Sequence, residues 1–277
     1  MKEDREAVRA YYNRTAEQEW GRIGNRPEFL VTCRFLDRMI QPGDRVLDIG
    51  GGPGRYSIHL AERGCDVTLL DLAEENVRLA EENAREAGVT LNAAAGDALL
   101  AGEVLRERGL YPAGGFDAVL LMGPLYHLLE EEERIKSVEE ALSLLKPGGV
   151  LCASFILNTA DLQFRMKYPA DGPILTDNPI DLDFRAALLR GEGWSGDGFT
   201  RAHFADISEI EPFMARFPLD PAVIFGQEGI MGPCEEALMA LTPEEIGEWL
   251  RFSENLAVRR EYWGFAEHLM YIGRKKE

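Results

Sequence analysis

The chain has 277 residues, of which 45% are hydrophobic and 28% charged, a composition that suits one large folded domain with an insertion or two modest domains. Lys and Arg number 30 against 48 Asp and Glu, a formal net charge of −18 that repels phosphate backbones and argues against nucleic acid as a partner. There is no apolar run of about 18 residues, and the N-terminus, Met1-Lys2-Glu3-Asp4-Arg5, is charged, so neither a membrane span nor a secretion signal is expected.

In chain order, residues 3–20 and 27–40 read as helices separated by a glycine-containing break at 21–25. From Arg45 to Leu157, short apolar runs alternate with amphipathic stretches, the pattern of βαβ units around a buried parallel sheet. The predicted strands are Arg45–Ile49, Asp66–Leu70, a weaker one at Thr90–Ala95, Phe116–Leu121 and Val150–Ile156. Between them, Val77, Ala80, Ala84 and Ala87 share one helical face, and Ile135, Val138, Leu142 and Leu145 share another. Lys146-Pro147-Gly148-Gly149 is expected to end that second helix. Residues 158–205 lose periodicity and become rich in Pro, Gly and Asp, as an inserted loop or small subdomain would. A helix near Ile207–Phe217, a strand near Ala222–Phe225, helices between Cys234 and Trp263 and a strand at His268–Ile272 complete the reading. Cys33, Cys65, Cys152 and Cys234 form no C-x-x-C pair, which fits a reducing cytoplasm. His59, His127, His203 and His268 lack metal-ligand spacing, so no metal is expected.

The strongest local signal is Asp48-Ile49-Gly50-Gly51-Gly52-Pro53-Gly54, a buried strand running into a glycine turn that opens a helix. Glycines let a ligand lie against the backbone, and the helix start offers unpaired N–H groups. A dinucleotide fingerprint fails here, because the third glycine position counted from Gly50 is Arg55. The segment instead resembles the first motif of class I S-adenosylmethionine-dependent methyltransferases. Gly96-Asp97-Ala98, Phe116-Asp117-Ala118-Val119 and Leu145 to Gly149 are similar to later motifs of that family, in order, over about residues 40–157.

That resemblance implies a Rossmann-like, doubly wound α/β sheet of seven strands, the last antiparallel, with helices on both faces and an inserted lid. The divisions would be a helical cap at 1–40, a donor-binding core at 41–157, a substrate cover at 158–205 and a C-terminal completion of the sheet at 206–277. It further implies S-adenosylmethionine as cofactor. Gly50, Gly51, Gly52 and Gly54 would form its bed, Asp48 would orient its ammonium group, and Asp71 with neighbouring Leu72 would hold the ribose. Asp97 and Ala98 would address the adenine, and Met122 and Gly123 would approach the methionine part. A carboxylate suits two adjacent hydroxyl donors, and spacing from the glycine loop favours this role over the alternative, that Asp71 merely caps the helix that follows it.

Tyr11-Tyr12-Asn13-Arg14-Thr15-Ala16 resembles a lead helix that closes over the donor, with Tyr12 touching it; Asn13 stands where an aspartate is usual. After the fourth strand, Tyr126 and His127 are the candidates to face an acceptor, His127 either as a base or as a positioning hydrogen bonder. The acceptor pocket is expected between the His127 loop and the cover, near Phe164, Arg165, Met166, Trp194, Phe199, Arg201 and His203. The expected activity is methyl transfer to a small molecule; RNA or protein methylation, or donor binding without catalysis, are the alternatives.

Overall fold

The computed structural model describes residues 2–24, 26–168 and 178–277. Its strands are β1 (Arg45–Ile49), β2 (Asp66–Asp71), β3 (Asn92–Ala95), β4 (Phe116–Leu121), β5 (Leu145–Ile156), β6 (Trp194–Asp197), β7 (Arg201–Phe204), β8 (Leu219–Gly226) and β9 (His268–Lys275). Its helices are α1 (Lys2–Ile23), α2 (Pro27–Met39), α3 (Arg55–Glu62), α4 (Glu74–Glu86), α5 (Ala101–Glu107), α6 (Glu131–Leu144), α7 (Asn158–Lys167), α8 (Pro179–Arg190), α9 (Ile207–Met214), α10 (Glu235–Met239) and α11 (Pro243–Ala257).

Seven strands form one sheet in the order β3-β2-β1-β4-β5-β9-β8. β9 runs antiparallel to both neighbours, so the other six share one direction. The expected doubly wound architecture with its reversed last strand is therefore present. Strand alternation divides the core. Leu47 and Ile49 join α5, α6 and α9 on one face through Leu105, Val138 and Ile210. Val46 points the other way, into a cluster with Leu36, Leu60 and Leu250 of α2, α3 and α11. A Phe35–Phe225 stack with centroids 3.8 Å apart ties that second layer to β8.

Strand order reverses between β1 and β4, and in an open parallel sheet the crevice beyond the strand ends at such a point is where ligands bind. The two loops that follow β1 and β4 touch there. A Cβ on Gly50 would meet the Pro124 ring at 2.6 Å, and Gly50 has φ +76°, so no side chain fits at that meeting point.

Several expectations change in detail. α6 stops at Leu144, and Lys146 to Gly149 lie within β5 instead of ending the helix. Lys146 Nζ sits 2.5 Å from Asp117 Oδ1, and the β4–β5 register shifts between Phe116 and Ala118, an irregularity in which Pro147 is tolerated. α1 continues through Gly21 to Ile23, where Arg22 is held by Glu19 and Glu28. The inserted region is more regular than its composition implied: α7, α8 and the β6–β7 hairpin enclose a small cluster of Ile156, Ala160, Phe184, Ala202 and Phe204. Its Pro- and Gly-containing stretch 169–177, like Asn25 of the predicted break, lies outside the described residues.

α1 is fastened mainly by polar contacts. Arg5 reaches Asp97 at 3.0 Å and Glu133 at 2.7 Å, Arg9 pairs with Glu74, and Asp4 receives Arg201 at 2.8 Å. Arg55 lies over the Trp20 ring, 3.2 Å from its centroid, and donates to the Trp20 carbonyl at 2.6 and 2.9 Å. Asn13 accepts from the Glu75 N–H at 3.0 Å and donates to Glu74 at 3.2 Å. An aspartate could make the first bond but not the second.

Candidate active site

The crevice opens into a cavity whose outline, open solvent at its mouth included, encloses about 1030 Å³. Asp48, Gly50, Gly51, Gly52, Asp71, Leu72, Asp97, Ala98, Met122, Gly123, Tyr12, Tyr126 and His127 all line it. Residues far apart in sequence are thus brought to one hollow by the ends of β1, β2, β3 and β4. Gly54 stands behind it as the N-cap of α3 with φ +90°, where a Cβ would press on the Ala80 methyl at 3.1 Å. It serves the packing of α3 on α4.

Asp71 organises the glycine turn. Its Oδ2 accepts from the Gly52 N–H at 2.8 Å, and its Oδ1 accepts from the Ala73 N–H at 2.8 Å and from Asn76 Nδ2 at 3.1 Å. The sequence left open whether Asp71 braces the chain or faces a ligand; it braces the chain and also lines the cavity. Burial pushes its carboxyl pKa up, opposed by the Ala73, Asn76 and Gly52 donors. Asp48, 2% exposed, accepts from Ser57 Oγ at 2.7 Å. Burial raises its pKa to about 7 against the Ser57 hydrogen bond, with the Asp71 charge adding to the rise. Asp97 accepts from the Leu99 N–H at 3.0 Å and meets Arg5.

His127 is held at both nitrogens, with Nδ1 3.1 Å from the Arg201 carbonyl and Nε2 2.8 Å from the Tyr12 hydroxyl. A carbonyl only accepts, so Nδ1 carries the proton and Nε2 receives the Tyr12 O–H. Burial lowers the His127 pKa to about 4 despite the Arg201 carbonyl, leaving a neutral ring. In this geometry His127 clasps α1, the β4 loop and the β6–β7 hairpin together, and its lone pair is already used.

None of the seven cover residues expected at an acceptor pocket lines the cavity. Arg165 is engaged by Asp161 and Asp181, and Arg201 by Asp4 and Asp197; an acidic chain supplies each arginine with local carboxylates. Phe164 and Met166 face outward, and Trp194 packs on Phe184 and Phe204. Phe199 contacts the edges of His127 and Tyr11, while His203 borders a separate depression with Glu131 and Arg134.

Sequence reasoning missed the other polar side chains of the wall: Arg5, Glu19, Arg22, Glu28, Tyr56 and Asn76. Glu28 sits in the first turn of α2 after Pro27, where an acid needs no reason beyond the helix dipole. It also missed that Glu28, Glu228 and His268 place one potential ligand atom each within 4.8 Å of one another.

The comparisons with known proteins agree with this geometry. A family model described as a methyltransferase domain matches residues 46–149. The ubiquinone biosynthesis O-methyltransferase of Xanthomonas axonopodis pv. citri is 34% identical over 130 residues, covering 47% of this chain and 50% of that protein. The chain spans about half the length of the curated relatives it matches. Among solved structures, the 1,6-didemethyltoxoflavin-N1-methyltransferase of Burkholderia thailandensis superposes with a TM-score of 0.59 at 15% identity, covering 98% of this chain and 88% of that one. The magnesium protoporphyrin IX methyltransferase of Synechocystis PCC 6803 does so at 0.57 and 18%, covering 99% and 100%. Together with the sheet order and the glycine loop, these matches make residues 46–149 similar to a methyltransferase domain, on the fold that the solved methyltransferases share.

Proposed function

We propose that this chain transfers the methyl group of S-adenosylmethionine to a small-molecule acceptor. The observation that carries the reading is the single cavity in which Asp48, Gly50 to Gly52, Asp71, Asp97, Ala98, Met122 and Gly123 converge. The residues suit the donor chemically. Gly52 leaves open space where a Cβ would stand, Asp71 offers carboxylate oxygens to ribose hydroxyls, and Asp48 offers an anion to an ammonium group. Asp97 and the Ala98 backbone would take the adenine, and Tyr12 would close α1 over it. When bound, the donor supplies an electrophilic methyl on sulfonium sulfur. The protein's part is to orient donor and acceptor and to exclude water.

The names of the relatives, an O-methyltransferase of ubiquinone biosynthesis and an N-methyltransferase of a toxoflavin precursor, support a small-molecule acceptor. The acidic net charge of −18 weighs against an RNA substrate. Residues 1–40 and 158–205 would serve as cap and cover over the core. Among the described residues no helix is long and apolar enough to cross a membrane, and Cys33, Cys65 and Cys152 are buried free thiols, which supports a reducing, cytoplasmic setting.

Calorimetry with S-adenosylmethionine and with NAD tests the cofactor, and mass spectrometry of a metabolite library incubated with donor and protein tests the reaction. Donor binding with methylation of some library member is the expected result. Binding of NAD instead overturns the reading, and donor binding without any methylated product favours a non-catalytic binder.

A further inference from the structure

One part of the cavity wall comes from elements that the donor motifs do not use: the end of α1, the start of α2 and the first turn of α3. There Arg22 lies between two carboxylates, 2.9 Å from Glu19 and 2.9 Å from Glu28. Tyr56 and Tyr126 line the same cavity, and Phe29 backs the Tyr56 ring at 5.3 Å between centroids. Tyr56 is 7% exposed, and its hydroxyl faces the Glu28 carboxylate and the Thr32 hydroxyl.

Behind Glu28 lies a braced pair. Glu228, with 4% of its side chain exposed, accepts from the Glu267 and His268 N–H groups at 2.9 and 3.0 Å, and His268 Nδ1 sits 2.7 Å from its other oxygen. Three donors fix that carboxylate and so fix the imidazole ring, which also faces the Tyr126 ring at 6.0 Å. The Glu228 and Glu28 charges raise the His268 pKa to about 9, against burial and the Arg22 charge. Arg22 and the His268 cation hold Glu28 ionised, with its pKa lowered despite burial. Because Glu228 and His268 Nδ1 are committed to each other, the Glu28–His268–Glu228 group reads as a charge-supported carboxylate in preference to a cation cage.

We propose that this wall is the acceptor subsite, that Glu28 binds the O–H or N–H of the acceptor and takes its proton, and that His268 and Glu228 are positioning residues behind it. The inference rests on the methyl-transfer reading. In the step, the acceptor heteroatom's lone pair forms a bond to the methyl carbon. The carbon–sulfur bond breaks with its electron pair going to sulfur, and the heteroatom's proton passes to the Glu28 carboxylate. The three carboxylates of Glu19, Glu28 and Glu228 outnumber the cations of Arg22 and His268, so an anionic acceptor is repelled. The Tyr12, Tyr56 and Tyr126 rings favour a flat apolar body. The acceptor class is therefore an uncharged aromatic ring carrying a hydroxyl or amino group.

Catechol and 3,4-dihydroxybenzoate are matched probes that differ by one carboxylate. Calorimetry of the full chain saturated with S-adenosylhomocysteine should show catechol binding at least tenfold tighter than dihydroxybenzoate. Glu28→Gln should weaken catechol about tenfold, as loss of a charge-assisted hydrogen bond does, while S-adenosylhomocysteine affinity stays within twofold. His268→Gln should move the acid limb of the kcat/KM profile for catechol methylation upward by about one pH unit, since Glu28 loses a neighbouring cation; a merely structural role would leave that limb in place. Tighter binding of dihydroxybenzoate, no binding of catechol, an unchanged Glu28→Gln affinity or an unmoved acid limb overturns the subsite. Failure of S-adenosylhomocysteine to bind at all is a separate result, which removes the methyl-transfer reading and this inference with it.

Discussion

The Tyr12 hydroxyl lies 2.8 Å from His127 Nε2, so a residue of the first helix is hydrogen-bonded to the loop after the fourth strand within the cavity wall that both residues line. α1 is otherwise held largely by exposed or half-exposed ion pairs, each worth little in water. An element fastened this way is drawn from the low-stability end of the molecule and is suited to open for ligand entry.

Tyr12→Phe should therefore loosen α1 more than it destabilises the whole chain. Removing one hydroxyl leaves the buried His127 Nε2 without a donor, a cost of about 1 to 3 kcal/mol. Hydrogen exchange of α1 amides should accelerate severalfold, while the amides of β1 and β4 stay protected. Equal acceleration in the central strands would mean that the bond stabilises the fold globally and is not a clasp.

Asp71 supports two jobs with one carboxylate, and substitution should separate them. Asp71→Asn keeps a side-chain oxygen for the Gly52 or Ala73 N–H but loses the charge. Donor affinity should fall by roughly 1 to 3 kcal/mol, five- to over a hundredfold, as expected for charged hydrogen bonds. The thermal midpoint should move by only a few degrees. A folded Asp71→Asn protein with unaltered donor affinity would show that this residue only braces the turn.

The sheet was legible because its signals are local. Val46, Leu47 and Ile49 are a continuous apolar run, and a buried parallel strand is apolar on both faces, so β1 was placed to the residue. Gly50 and Asp71 follow strand ends, and a parallel sheet brings strand ends together without any knowledge of loops. Tyr126 was expected to face an acceptor, but the wall bearing Glu28, Tyr56 and the Glu228–His268 pair beside it was not legible. Those four residues come from four separate stretches, and each has an ordinary local explanation: a helix-dipole acid, an aromatic helix face, a loop carboxylate, a strand histidine. The cover misled in the opposite direction, since Arg165 and Arg201 looked available in sequence but are met by carboxylates four residues away and farther.

Donor binding should strengthen as pH rises through neutrality. Burial holds the Asp48 carboxyl up at about 7, so below that pH it is largely protonated and offers no charge to an ammonium group. Above it the anion is present, and a cationic ligand favours it further. Affinity for S-adenosylhomocysteine should increase several-fold between pH 6 and 8, with proton release on binding at pH 7 detected by calorimetry in buffers of different ionisation enthalpy. Asp48→Asn should flatten both effects. A pH-independent affinity in the unsubstituted protein would show that Asp48 does not meet the ammonium group.

Fold stability should decline on the alkaline side because of His268. Its folded pKa is about 9 against an ordinary 6.5, raised by Glu228 and Glu28, so between those values the folded state holds a proton that the unfolded chain has released. Stability from this proton is fully present below about pH 6.5 and is lost as pH rises through 9. The contribution is on the order of 3 kcal/mol, which urea titrations at pH 6.5, 8 and 9.5 would resolve. Arg22 and Tyr126 also face this pair, but Arg22 keeps its charge throughout the range, and burial raises the Tyr126 pKa beyond it. His268→Gln should remove most of the slope while lowering stability at pH 6.5. If the substituted protein kept the same alkaline decline, the proton responsible would belong to another group.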